Sequence, residues 1–160
     1  MKTEKITDMS DAKQYCSFLI GDLLFGVEVC RVQEVIRAQP ITPVPLAPRE
    51  ISGLINLRGQ IVTSIDLRRR LDLDDRATGM LPMNVVVRTD DGVVSLVVDD
   101  IGDVVQLTAN TFEPTPETFV GPTRELVCGV HKLENRLLLI LDTNAAITVA
   151  ARPGRVADAA

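Results

Sequence analysis

Few side chains in this sequence are equipped for covalent or metal chemistry. There is one histidine, His131, and there are three cysteines, Cys16, Cys30 and Cys128, at unrelated spacings. Imidazole and mixed Cys/His metal sites lack their ligands here, and a Ser/His or Cys/His nucleophile pair would have to use that single imidazole. Each cysteine sits among aliphatic residues, where a reduced thiol behaves as a small buried hydrophobe. His131 falls in an apolar strand and reads as a packing residue. Asp99-Asp100 with Asp103 raises the question of Mg²⁺ or Ca²⁺, but the run lacks EF-hand spacing and lies at a strand end, so no metal and no cofactor are expected. Arg68-Arg69-Arg70 reads as the solvated face of a short helix. The pair with a sharper reading is Arg58 and Glu34: a carboxylate orienting a guanidinium fork prepares it for polar recognition of a partner.

The elements that must position these groups follow from composition and pattern. The chain has 160 residues, 46% hydrophobic and 24% charged, enough to bury a core without disulfides. A net charge of −5, with aromatics at 3% and no Trp, gives neither a basic footprint for a polyanion nor a platform for stacking bases. The polar start has no signal-peptide core, and no apolar run approaches the roughly 20 residues that span a bilayer. A cytoplasmic protein is therefore expected, with flexible tails at 1–13 and 150–160 around a folded unit at 14–149.

Inside that unit, short β-branched and aliphatic runs alternate with turn residues. Runs at 15–20 and 25–29 flank Gly21-Asp22, and runs at 84–89 and 93–98 flank Asp90-Asp91-Gly92, which predicts two hairpins. Helical signals are short: 67–71 after Asp66, a turn at 108–111, and 143–149 after Asp142, with each Asp placed to cap orphan amides.

The chain also repeats itself. Ile51-Ser52-Gly53-Leu54-Ile55-Asn56-Leu57 through Asp66 aligns without a gap on Val127-Cys128-Gly129-Val130-His131-Lys132-Leu133 through Asp142, at a constant offset of 76 (127 − 51). Gly53 falls on Gly129, Asp66 on Asp142 and Leu71 on Ile147. A weaker echo pairs 25–29 and 34–36 with 94–98 and 103–105. The expected fold is mainly β: two similar small barrels side by side, each sheet curling to remove its own edges. Duplication separates structural from recruited residues. Gly59 and Asn135 both suit a turn position with positive φ, whereas Arg58 is replaced by Glu134 and is not demanded by the shared hairpin.

Three stretches taken together, Val32-Gln33-Glu34-Val35-Ile36, Asn56-Leu57-Arg58-Gly59 with its following strand and Asp66-Leu67-Arg68, and Val97-Val98-Asp99-Asp100-Ile101-Gly102-Asp103-Val104, resemble the CheW chemotaxis coupling proteins over nearly the whole folded region. The resemblance implies a non-enzymatic adaptor of two five-stranded, SH3-like barrels, joining the cytoplasmic tips of methyl-accepting chemoreceptors to the regulatory domain of a CheA-type histidine kinase. It places Arg58, Glu34, Val32, Val35, Asn56, Leu57 and Gly59 at the partner-binding surface and favours the second barrel for the kinase. Thr63 departs from the proline that such proteins commonly carry in the strand after Asn-Leu-Arg-Gly. Two other readings are a coupling protein of a pilus or developmental pathway, and a small ligand- or oligonucleotide-binding β-barrel. The latter requires aromatic and basic residues along one face, which the sequence lacks.

Overall fold

The computed structural model describes residues 12–148. The expected tails at 1–13 and 150–160 lie outside the described residues except for Ala12 and Lys13, and Lys13 already opens the first strand. The strands are β1 (Lys13–Ile20), β2 (Leu23–Glu28), β3 (Val32–Arg37), β4 (Ile51–Leu57), β5 (Gln60–Asp66), β6 (Met83–Thr89), β7 (Gly92–Val98), β8 (Asp100–Leu107), β9 (Phe112–Glu113), β10 (Val127–Lys132) and β11 (Leu137–Leu141). Three short helices accompany them: α1 (Leu67–Arg70), α2 (Gly121–Leu126) and α3 (Thr143–Ile147). Asp66 Oδ1 accepts from the Arg68 amide at 3.0 Å and Asp142 Oδ1 from the Ala145 amide at 3.1 Å, so both predicted caps hold a helix start.

The strands form two sheets, ordered β8-β1-β2-β11-β10-β9 and β3-β6-β7-β5-β4. The repeat governs both, because the orders correspond strand for strand once β9 is set aside. The parallel pairs Thr63↔Val94 and Leu139↔Phe25 occupy the same place, with one member shifted by 76 (139 − 63) and the other by 69 (94 − 25). Bulges recur as well, between Ile51 and Gly53 in one copy and Val127 and Gly129 in the other. The chain halves are nevertheless not the spatial units. Hairpin β1–β2 joins the sheet built by β8, β10 and β11, and hairpin β6–β7 joins the sheet built by β3, β4 and β5. Each half thus supplies a hairpin to the other. In the hydrogen-bonded order the end strands are β8 and β9 in one sheet and β3 and β4 in the other.

Strand alternation sorts the apolar residues into three clusters. The largest lies between the sheets and draws on both, including Phe18, Phe25, Ile65, Val85, Leu96 and Leu139; the Phe18 and Phe25 rings stack with centroids 5.9 Å apart. Each sheet has a smaller cluster on its other face: Ile55, Leu57, Val62 and Val86 in one, Tyr15, Leu138 and Ile140 in the other. The repeated glycines explain themselves by close approach. A Cβ on Gly53 would meet the carbonyl oxygen of Thr42, and one on Gly129 would meet the Phe112 ring.

Several expectations about polar residues are corrected. Cys16 is buried, but Cys30 and Cys128 are exposed: Cys30 leaves β2 in a 3₁₀ turn, and Cys128 sits at the bulge, where alternation is interrupted. Arg68 and Arg70 do not form a solvated face. Arg70 is 4% exposed, donates from Nη2 to the Ala145 carbonyl and approaches Glu125.

Candidate functional site

Arg58 and Gly59 form a two-residue turn between paired Leu57 and Gln60, at φ +55° and +88°. Two positive φ values mark the hairpin turn whose twist matches its strands. Asn56 closes it, its Oδ1 accepting from the Gly59 amide at 2.8 Å. In the second copy Asn135 does not take a positive φ, so the two turns differ in backbone type and the expected equivalence of Gly59 and Asn135 fails. Holding a side chain such as arginine in this left-handed region costs about 1–2 kcal/mol. Arg58 therefore occupies a position where asparagine or glycine would be easier.

The guanidinium is 80% exposed, and its Nη2 lies 3.1 Å from Oε1 of Glu34, whose side chain is 16% exposed. Glu34 comes from β3, an end strand of the same sheet, just past a bulge between Val32 and Glu34. Arg88 braces the start of that strand, donating from Nη1 to the carbonyls of Cys30 at 3.2 Å and Val32 at 3.4 Å. Val32 and Val35 are half-buried, and Val32 also packs against the large core. Asn56 and Gly59 are exposed at the tip. Leu57 is 7% exposed and belongs to the small cluster with Ile55, Val62 and Val86; as the inward residue of an alternating strand it packs the sheet and leaves little surface to a partner. The fold thus brings the Arg58 tip, at the β4–β5 end of the sheet, against Glu34 on β3 at the opposite end, so the sheet curls until its two ends meet there.

Sequence reasoning missed the charged node beneath α1. Asp99 receives Arg68 through Nε at 2.8 and 3.0 Å and through Nη2 at 2.7 Å, with the Gly21 amide at 2.7 Å. Arg76 Nε lies 2.9 Å from the same carboxylate, and its Nη1 donates to Asp66 at 3.0 Å. Burial alone would push the Asp99 pKa up, but the Arg68 hydrogen bonds, the Gly21 amide and the two guanidinium charges outweigh it and hold the pKa below the usual carboxylate range. The node ties one sheet's α1 to the other's β1–β2 turn, and its engaged oxygens make Asp99 an ion-pair acceptor. Arg76 carried no sequence signal because it lies in a stretch without periodicity.

His131 is 3% exposed, with Thr111 Oγ1 2.8 Å from its Nδ1, and burial lowers its pKa. Among the described residues, no helix is long and apolar enough to cross a membrane.

A family model described as the CheW-like domain matches residues 14–151. The chemotaxis protein CheW of Bacillus subtilis is 31% identical over 143 residues, covering 89% of this chain and 92% of that protein. CheW of Klebsiella aerogenes is 30% identical over 138 residues, with 86% and 83% covered. The crystal structure of the scaffolding protein TtCheW from Thermoanaerobacter tengcongensis matches with a TM-score of 0.74 at 29% identity, over 81% of this chain and 88% of that one. With the family model covering all of the sheet assembly but its first residue and including Arg58, the chain belongs to the CheW-like family of chemotaxis scaffolds, which are adaptors and not enzymes.

Proposed function

We propose that this protein is a cytoplasmic adaptor that couples methyl-accepting chemoreceptors to a CheA-type histidine kinase, and that the surface where the Arg58 tip meets β3 contacts a partner. The observation that carries this reading is the backbone cost accepted at Arg58. A residue at φ +55° and 80% exposed contributes little to folding through its ion pair with Glu34, since exposed pairs are worth about 0–1 kcal/mol. Its partner in the repeat, Glu134, lacks the positive φ. An oriented, solvent-facing guanidinium fork suits a carboxylate or backbone carbonyls on another protein, and desolvated arginines are frequent centres of interface energy.

Val32, Val35, Asn56 and Gly59 flank that fork and supply shape, while Glu34 positions it. The two-unit architecture suits an adaptor because it presents separate surfaces: the receptor takes one, and the kinase regulatory domain takes the end of one barrel, which the family resemblance favours as the second. Recruitment to receptor arrays then follows from receptor binding. The test is a pull-down from the source cytosol with the parent chain and Arg58→Ala as baits. Recovery of a chemoreceptor and a CheA-type kinase by the parent, with at least one lost on Arg58→Ala, is the expected result; recovery of neither by the parent overturns the reading.

A further inference from the structure

The two units of the fold differ most at one end, where the repeat puts polar aromatic groups in only one copy. In the β3-β6-β7-β5-β4 sheet, Ile55 and Asn84 occupy this place, and Asn84 is fully engaged: Oδ1 accepts from Ser95 at 2.8 Å and Nδ2 donates to the Arg37 carbonyl at 3.2 Å. At the matching positions of the other sheet stand His131 and Tyr15, which line a cavity of about 300 Å³. Its walls are Leu107, Phe112 and Ile140, with Cys128 beside them and the Lys13–Glu28 ion pair, 3.2 Å apart, at the rim.

Three observations point to a ligand. Tyr15 is 6% exposed and His131 3%, yet among the described residues no hydrogen bond engages the Tyr15 hydroxyl, which lies in electrostatic range of Glu28, Lys13 and Cys128, all on the cavity. The hydroxyl is not among the buried polar atoms left without a partner, so it opens on the cavity's solvent and can exchange that water for a ligand atom. The three rings are already arranged as a partial cage, His131 lying 5.4 Å from Tyr15 and 5.3 Å from Phe112, the latter edge-on, a geometry that accepts a further ring. The rim pair is self-neutralising, so the mouth selects neither anion nor cation. None of these groups is required by the shared hairpins, since the other copy folds without them.

We propose that this cavity is a binding site for a small, neutral, planar aromatic molecule carrying one hydrogen-bonding atom, which meets the Tyr15 hydroxyl while its ring packs among Tyr15, Phe112 and His131. The volume stands at the lower end of small-molecule sites, which limits the ligand to one or two rings. The site is independent of the Arg58 tip, which belongs to the other sheet.

The test uses the full chain and a matched pair of probes, p-cresol and toluene, followed by amide chemical shifts. p-Cresol should bind saturably with a dissociation constant below about 1 mM, shifting amides around Leu107, Phe112 and Cys128. Toluene should bind about tenfold more weakly. Tyr15→Phe, which removes only the hydroxyl, should make the two probes equal, and Ala109→Trp at the lip should abolish both. Absence of saturable shifts with p-cresol, shifts centred elsewhere, or undiminished preference for p-cresol in Tyr15→Phe each overturns the proposal. So does a cavity that responds only to added kinase regulatory domain, which would make it part of a protein interface.

Discussion

Replacing Asp99 by alanine removes the carboxylate that Arg68, Arg76 and the Gly21 amide share. The side chains of Arg68 and Arg76 are 16% and 10% exposed, so the charges left behind are poorly hydrated, and breaking a buried ion pair from one side costs about 3–5 kcal/mol. Arg76 keeps Asp66 and Arg68 keeps the Asp74 carbonyl, which places the expectation at the lower end, about 3 kcal/mol. For a domain of this size each kcal/mol moves the melting temperature by about 2–4 °C, so Asp99→Ala should melt about 6–12 °C below the parent. The pH dependence has a definite sign. Burial opposes the charged form of Asp99, but its arginine and amide partners depress its folded pKa below the unfolded value of about 3.9. The stabilisation is therefore complete above that value and is lost as pH falls through the folded pKa. Melts of the parent and Asp99→Ala near neutral pH and in acid should show a gap that narrows below about pH 4. A variant within about 2 °C of the parent at neutral pH, or a gap that widens in acid, would refute the reasoning.

The ion pair at the Arg58 tip should behave in the opposite way. Arg58→Ala should melt within about 3 °C of the parent, because the pair is exposed and alanine, which keeps the Cβ, leaves the cost of the positive φ unchanged, yet lose over tenfold in affinity for receptor fragment or kinase domain by titration calorimetry; Glu134→Ala should lose neither. Glycine substitutions should separate contact from conformation. At Gly53, φ is +146° and a Cβ would collide with Thr42 and Ile41, whereas at Gly59 φ is +88° with open space. Thermal melts of Gly53→Ala should therefore show a loss of about 3 kcal/mol or more, and those of Gly59→Ala about 1–2 kcal/mol.

The parts of this fold that were legible in the sequence are those written in local chemistry. Asp66 and Asp142 cap their helices because a short carboxylate one step before a helix has amides to accept from, and Gly53 and Gly129 recur because Thr42 and the Phe112 ring come too close to each for a Cβ. The exchange of hairpins between halves was not legible. The repeat records which segments are alike, while the β5–β7 and β11–β2 parallel pairings that decide their partners span long separations and leave no local pattern. At the site, the pairing of Arg58 with Glu34 was readable from residue type. The left-handed backbone of Arg58 was not, since arginine is a poor marker of positive φ. Leu57 followed its motif into the expected site, but strand alternation turned it inward. The Asp99 node escaped because its members, Asp66, Arg68, Arg76 and Asp99, belong to different elements and meet only after both sheets are assembled.

The central claim, that one chain holds two partners at separate surfaces, is tested most directly by a bridging measurement. A receptor cytoplasmic fragment is immobilised, the kinase regulatory domain is passed over it with and without this protein, and the mass retained is read by surface plasmon resonance. The account predicts that kinase domain is retained strongly only when this protein is present, that saturating kinase domain does not displace it from the receptor fragment, and that Arg58→Ala weakens the assembly more than tenfold without altering the chain's melting. Displacement of this protein from the receptor fragment by the kinase domain would contradict the account, because the two partners would then compete for a single surface.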